Sequence, residues 1–288
     1  MSAPLLVVDT PSMLFRAFYA LPDSIKGPDG RPVNALLGTA NLILAEIEAH
    51  KPRAVVLCFG PDAASYRTEL YPAYHSEREA AMPDDLSPQF AASRDFFAAF
   101  GWTVATSDSL EADDLLGTYA SREAEAGGQA LLMTGDRDMY QCAGEGVTVL
   151  YVKTGGKKGA EEVDAAGVRE RYGVDPEQVP DFIALRGDPS DGLPGAKGVG
   201  PKTAAELLRK HGDLETILDN AIREQRPKLR GALLDARDEL LAFKDIATLR
   251  DAGVDRPPDD PTDWWGAAAA ARKLGMNRLA ERLEANAP

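Results

Sequence analysis

A chain of 288 residues, 44% hydrophobic and 7% aromatic, has enough apolar mass for one large core or two modest ones, which excludes wholesale disorder. No apolar run approaches the roughly 20 residues of a membrane helix. Met1-Ser2-Ala3-Pro4 carries no basic region ahead of the short run Leu5 to Val8, so the expectation is a cytoplasmic protein without a signal peptide. The net charge of −14 and pI near 4.7 argue against a simple nucleic-acid coat protein, unless acids gather where cations offset them and bases are locally concentrated. Two cysteines far apart, Cys58 and Cys142, read as reduced thiols and not as a disulfide framework.

In chain order, Leu5 to Val8 predicts a strand ending at Asp9, Ala35 to Ala49 a helix and Ala54 to Phe59 a buried strand. The segment Gly60 to Pro88 is polar, charged and aromatic, and long for a connection. Pro88 to Phe100 predicts an amphipathic helix, Thr103 to Thr106 a strand, and Glu111 to Ala126 a helix. Ala130 to Thr134 and Val147 to Val152 follow as strands. Continuous apolar strands separated by helices indicate an α/β fold, with a central, mostly parallel sheet covered on both faces. After Val163 the pattern is helical: Ala165 to Tyr172, Pro176 to Leu185, Lys202 to Lys210, Leu214 to Asn220, Lys228 to Arg250, and two short helices near Trp264 and Asn277. A boundary near residue 170 divides an α/β catalytic unit, 1–170, from an all-α unit, 171–288.

Carboxylates recur where strands end, and in open α/β sheets ligands bind beyond that edge. Asp9 follows the first strand. Glu111, Asp113 and Asp114 open a helix after the third, Asp136 and Asp138 follow the fourth, and Asp188 and Asp191 come from the helical half. Any one pair alone reads as helix caps and first-turn acids. Converging as a set, they would repel one another toward protonation, and a divalent cation removes that conflict. The histidines, His50, His75 and His211, do not neighbour these acids in sequence, and neither cysteine does. An oxygen-only site suits Mg²⁺ or Mn²⁺ and not zinc. Two such ions roughly 4 Å apart suit in-line attack of water on a phosphodiester.

Gly195, Lys197, Gly198, Gly200, Lys202 and Thr203 lie in GAKGVGPKTA, just ahead of a helix. Pro201 separates Gly200 from Lys202 and no strand precedes, so the segment is no Walker A loop. It reads as a helix–hairpin–helix, about 187–211, whose backbone N–H groups approach a phosphate without regard to sequence. Lys197, Lys202, Arg209 and Lys210 against Glu206 make it locally basic; an ordinary tight turn is the alternative. Tyr66, Arg67, Tyr71, Tyr74, His75 and Arg78 interleave aromatic and basic groups in the 60–88 segment. That pattern suits a single strand, or else a solvated loop with a few anchoring aromatics.

Four motifs together, LLVVD with Arg16 beyond it, LEADDLLG, TGDRDMYQ and GDPSDGLPGAKGVGPKTA, resemble those of the 5′-nucleases. These are related to the 5′–3′ exonuclease domain of bacterial DNA polymerase I and to flap endonucleases. The resemblance runs over nearly the whole chain. It implies a PIN-like core with an acidic site beneath a helical arch formed from about 60–88. It also implies a C-terminal helix–hairpin–helix domain that grips duplex DNA, usually with K⁺. One metal is implied on Asp9, Glu111 and Asp113 and a second near Asp136, Asp138 and Asp191, with Asp114 and Asp188 at outer positions. Arg67 and Arg78 match residues that handle the 5′ end and scissile phosphate, and Arg16, Tyr74 and His75 join the DNA-facing set. Three positions depart from the pattern. Gly60 stands where an Asp usually follows the strand, with Asp62 two residues on. His75 replaces the arch lysine, and Gly192 replaces an Asn. The expected function is a stand-alone, Mg²⁺-dependent (or Mn²⁺-dependent) nuclease acting on 5′ ends and flaps of DNA in replication and repair. Two other readings are a DNA-junction binder weakened by Gly60, and a PIN-type RNase or phosphohydrolase; the second is disfavoured by the hairpin.

Overall fold

The computed structural model describes residues 3–76, 82–153 and 159–287. Six strands, β1 (Leu5–Asp9), β2 (Ala54–Phe59), β3 (Thr103–Thr106), β4 (Ala130–Thr134), β5 (Val147–Tyr151) and β6 (Glu161–Val163), form one sheet in the order β3-β2-β1-β4-β5-β6. Every neighbouring pair is parallel except β5 with β6. Val7 stands opposite Val56 on one side and Leu132 on the other.

The helices are α1 (Thr10–Ala20), α2 (Asn34–His50), α3 (Ser65–Leu70), α4 (Ser87–Ala98), α5 (Ala112–Glu125), α6 (Ala165–Tyr172), α7 (Val179–Arg186), α8 (Pro201–His211), α9 (Leu214–Asp219), α10 (Pro227–Asp235), α11 (Arg237–Ala247), α12 (Trp264–Lys273) and α13 (Asn277–Asn286). β1, β2 and β4 are buried at every residue. Their side chains alternate between two separate cores, as the pleat requires. Leu5, Val7, Val56, Cys58 and Leu132 face a core shared with α5, α7, α8 and α11. Leu6, Val8, Val55, Leu57 and Met133 face one shared with α1, α2, α4, α12 and α13.

Four features differ from the sequence expectation. Helix α1 follows β1 without a break because Asp9 caps it, accepting from the Ser12 N–H at 3.1 Å, and Pro11 stands in its first turn. The helix expected over Lys228 to Arg250 is two: Ala236 separates α10 from α11, which turn to different partners, the 221–223 turn and α7. The segment expected to form the arch, 60–88, holds one helix, α3, before Ser87 among its described residues, and positions 77–81 lie outside them.

The fourth concerns the C-terminal helices. The all-α unit was expected to run to residue 288, but α12 and α13 return to the sheet. Ala267, Ala271, Leu279 and Leu283 pack in the core that holds Phe97, Phe100 and Trp102. A strap over residues 248–263 brings them back. Arg53 donates to Pro257 O at 2.9 Å and pairs with buried Glu123, which also holds Arg256 at 2.8 Å. Trp102 donates to Thr262 Oγ1 at 3.0 Å.

Candidate active site

From β1 the chain builds one half of the sheet through β2 and β3, then resumes on the other side of β1 with β4. That reversal leaves a crevice beyond the carboxyl ends of β1 and β4, where such sheets bind ligands. A cavity of about 1140 Å³ lies there. Asp9, Glu111, Asp113, Asp136 and Asp138 line it from the sheet side, and Asp188 and Asp191 from the loop after α7. Phe15, Tyr19 and Phe90 add an aromatic part to the wall.

Local chain chemistry fixes the acids. Thr134, at the end of β4, donates its hydroxyl to Asp9 Oδ2 at 2.8 Å and accepts the Asp136 N–H at 2.9 Å. Asp136 Oδ1 in turn accepts the Asp138 N–H at 2.9 Å. One hydroxyl thus orients carboxylates from two strands, a role the sequence reading did not assign. Burial raises the Asp9 carboxyl above its ordinary range. Asp113 is pushed well above it by burial and by the charges of Asp9 and Asp136. Asp138 is pushed up likewise by burial and by Asp136, Asp191 and Asp188. A cluster of acids this averse to ionising together fits a divalent cation, which reverses the repulsion. Among the described residues, no three His, Cys, Asp or Glu side chains already converge as a finished metal site.

The remaining expected residues divide. Glu111 lines the cavity, but as the cap of α5 its Oε1 accepts the Ala64 N–H at 2.8 Å. Its Oε2 accepts from Arg67 and from the Tyr74 hydroxyl at 3.2 Å. Burial raises its pKa. Asp114 is fully buried and is not part of the cavity wall. It accepts from Arg67 at 3.2 Å, from the Arg250 N–H at 2.8 Å and from the Glu111 N–H at 3.1 Å. Four donors, the Tyr66 hydroxyl included, hold it behind Glu111 and away from the cavity surface.

Arg67 is itself only 3% exposed; it reaches the cavity wall and is clamped between these two acids. Arg16 donates to Gly135 O at 2.7 Å and Val152 O at 3.1 Å. It ties β4 to β5 from the cavity wall, and Gly135 leaves the room: a Cβ there would collide with the guanidinium. Arg78 lies outside the described residues.

Tyr74 and His75 are buried side by side, their rings stacked at 3.9 Å. The expected arch position of His75 is replaced by an inward one. Nδ1 lies 2.7 Å from Asp62 O and Nε2 lies 3.2 Å from Asp191 Oδ1. Sequence distance had kept the histidines apart from the acids; the fold brings one to them. At Gly60 a Cβ would stand 2.5–2.6 Å from the backbone of Leu110, Glu111 and Ala112, so the strand end abuts the start of α5. Asp62 is exposed at the cavity wall. Gly192 has φ +74°, a conformation that Asn and Gly share.

The hairpin forms as expected between α7 and α8. Ala196 N–H donates to Leu185 O at 2.9 Å, and Ala196, Val199 and Ala204 are buried. Lys197, Gly198, Gly200 and Lys202 are exposed, and Thr203 is half-buried. Gly195, with φ +65°, packs against the Arg186–Gly187 backbone where no Cβ fits. None of these residues lines the cavity. Arg186, unforeseen from sequence, reaches the cavity and pairs with Asp188 at 2.9 Å.

Comparison with known proteins agrees with this geometry. Residues 4–173 match the family described as 5′-3′ exonuclease, N-terminal resolvase-like domain, and residues 174–261 match 5′-3′ exonuclease, C-terminal SAM fold. A 5′-3′ exonuclease of Streptomyces coelicolor is 38% identical over 96% of this chain and 98% of its own length. A 5′-3′ exonuclease of Mycobacterium tuberculosis is 36% identical over 99% and 98%. The DNA polymerase I of Mycobacterium tuberculosis is 36% identical over 88% of this chain but only 28% of the polymerase. Among solved structures, T5 5′-exonuclease with bound zinc aligns with TM-score 0.71 at 18% identity over 98% of each chain. The catalytic core of Rad2 in complex with DNA aligns with TM-score 0.63 at 14% identity, over 98% of this chain and 92% of the other. These two likenesses bear on the fold alone. The family matches, which together span most of the chain, and the near full-length relatives carry the conclusion that this protein belongs to the 5′–3′ exonuclease family of nucleases.

Proposed function

We propose that the protein is a structure-specific 5′-nuclease that hydrolyses phosphodiester bonds at 5′ ends or flaps of DNA, using divalent ions, in replication and repair. The observation that carries this reading is the set of mutually repelling carboxylates, from β1, α5, the turn after β4 and the loop after α7, around one crevice. Asp9 and Asp113 would hold one ion, and Asp136, Asp138 and Asp191 a second. Asp188 is tied to Arg186 and Ser190 and holds its loop against the cavity. Bound ions would activate water and stabilise charge on the phosphate. The chain's own share is to hold these oxygens in place through Thr134, to keep Glu111 and Asp114 fixed through Arg67, and to bind duplex at the hairpin.

Mg²⁺ is the ion that an oxygen-rich set favours, and K⁺ would sit at the hairpin turn, where Lys197, Gly198 and Gly200 are exposed. T5 flap endonuclease, whose solved complex contains DNA and metal ions, supports the metal dependence by analogy of fold. In this reading residues 1–170 form the catalytic unit, completed by α12 and α13, and the rest of the helical half grips duplex. Among the described residues no helix is long and apolar enough to cross a membrane.

A 5′-flap substrate with Mg²⁺ should be cut, and Asp136→Ala should abolish cutting with junction affinity kept within about threefold, as expected where affinity rests mainly on phosphate contacts away from the site. Tight junction binding with no cleavage in Mg²⁺ or Mn²⁺ would favour the second reading, a weakened junction binder. That reading has its own observation: Gly60 offers no carboxylate, and Glu111 is held by Arg67.

A further inference from the structure

We propose that Arg137 grips a phosphate of the cut strand, the immediate neighbour of the one being hydrolysed, and so positions that strand on the carboxylate site. The inference rests on the nuclease reading of the cavity and adds to it a residue that touches substrate.

Charge in the cavity is lopsided. Eight acidic side chains line it against five basic ones. DNA brings a negative charge with every phosphate. Once ions offset the acids, the basic groups that are still available decide how the rest of the strand lies. Among the described residues, four of the five are committed to the protein itself. Arg16 donates to Gly135 O and Val152 O. Arg67 lies between Glu111 and Asp114. His75 bonds Asp62 O and Asp191, and Arg186 pairs with Asp188 at 2.9 Å. Arg137 is the fifth. It is exposed at the cavity wall, and among the described residues no carboxylate pairs with it.

Arg137 is nonetheless held in place. Its guanidinium lies over the ring of Tyr151, 5.4 Å from the centroid, at the carboxyl end of β5. Tyr140 braces that ring edge-on at 5.9 Å. A guanidinium resting on an aromatic face keeps its N–H fork in the plane and unused. Such a fork takes two phosphate oxygens at once, which a lysine cannot do.

Position in the chain selects the phosphate. Residue 137 stands between Asp136 and Asp138, so its Cα lies about 3.8 Å from each of theirs. Ions on those acids would hold the scissile phosphate. The Arg137 side chain leaves the same turn but leans away from β4 toward β5. It therefore meets the strand beside the scissile phosphate and not at it.

The test is single-turnover flap cleavage with Mg²⁺ by the full-length protein, on substrates with one uncharged methylphosphonate on either side of the scissile phosphate. For wild type, one of the two positions should slow cleavage about tenfold, the scale of one charge-assisted hydrogen bond. Arg137→Ala should slow cleavage of the unmodified flap by a similar factor and then be indifferent, within about twofold, to that methylphosphonate. Its Mg²⁺ requirement and melting temperature should stay at wild-type values, and Arg137→Lys should recover part of the loss. If variant and methylphosphonate effects multiply at both positions, Arg137 holds neither phosphate and the inference falls, with the carboxylate site left standing. A raised Mg²⁺ requirement in Arg137→Ala would also overturn it, since the residue would then act through Asp136 and Asp138. A wild-type protein that cuts no flap would overturn the nuclease reading itself, and this inference with it.

Discussion

Single residues decide what the crevice can hold. Gly60 occupies the point where β2 meets the start of α5, and any side chain there meets backbone at 2.5–2.6 Å. Restoring an acid with Gly60→Asp should therefore not create a metal ligand. It should lower stability by about 1–3 kcal/mol, as overpacking does, with no gain in flap cleavage. Denaturant melts and cleavage rates on wild type and variant check this, and a faster, equally stable variant would show that α5 can retreat. The acids of the sheet half were legible in the sequence because each follows a strand or opens a helix, as with Asp9 and Asp136, whereas Asp188 and Asp191 lie in the loop after α7. The part played by Arg67 was not. A basic residue among tyrosines reads as DNA-facing, and only the fold shows Glu111 and Asp114 waiting for it inside. His75 was misplaced for the same reason: 116 residues separate it from Asp191, and pairing across such a distance leaves no local signal.

At the level of elements, the hairpin concentrates exposed basic charge. The hairpin offers exposed Lys197 and, at the start of α8, exposed Lys202, neither of which lines the carboxylate cavity, which offsets locally the net charge of −14. Lys197→Ala and Lys202→Ala should each weaken duplex binding at any sequence. Each should also reduce the slope of log affinity against log salt by about one, measured by anisotropy at several salt concentrations. An unchanged slope in both variants would remove the hairpin from the interface. The strands and most helices could be read from the chain because buried parallel strands are continuous apolar runs. Helix α1 could have been found from Asp9, Pro11 and the apolar Met13 and Leu14 that follow. Strand β6 could not: Glu161, Glu162 and Val163 carry no alternating pattern, and pairing with β5 alone makes them a strand.

At the scale of the whole molecule, charge and stability are linked through the crevice. Asp113 and Asp138 hold their protons more tightly folded than unfolded. Their contribution to stability is therefore complete at low pH and is lost as pH rises from the ordinary carboxylate range, about 4, through their raised folded values. A bound divalent ion cancels that loss. The rise in melting temperature on adding Mg²⁺ should accordingly be larger at pH 8 than at pH 5.5. Calorimetry at both pH values checks it, and equal rises would mean that the acids are not what the ion relieves. The return of α12 and α13 to the sheet carries a different consequence, for synthesis. Phe97, Phe100 and Trp102 belong to the early part of the chain, yet the helices that cover them are made last. A growing polypeptide must hold that aromatic surface open until residues 264–286 emerge, and contacts so distant in sequence form slowly. The core on that face of the sheet is thus closed only after every helix from α5 to α11 has been made, so a product truncated before residue 264 leaves Phe97, Phe100 and Trp102 uncovered.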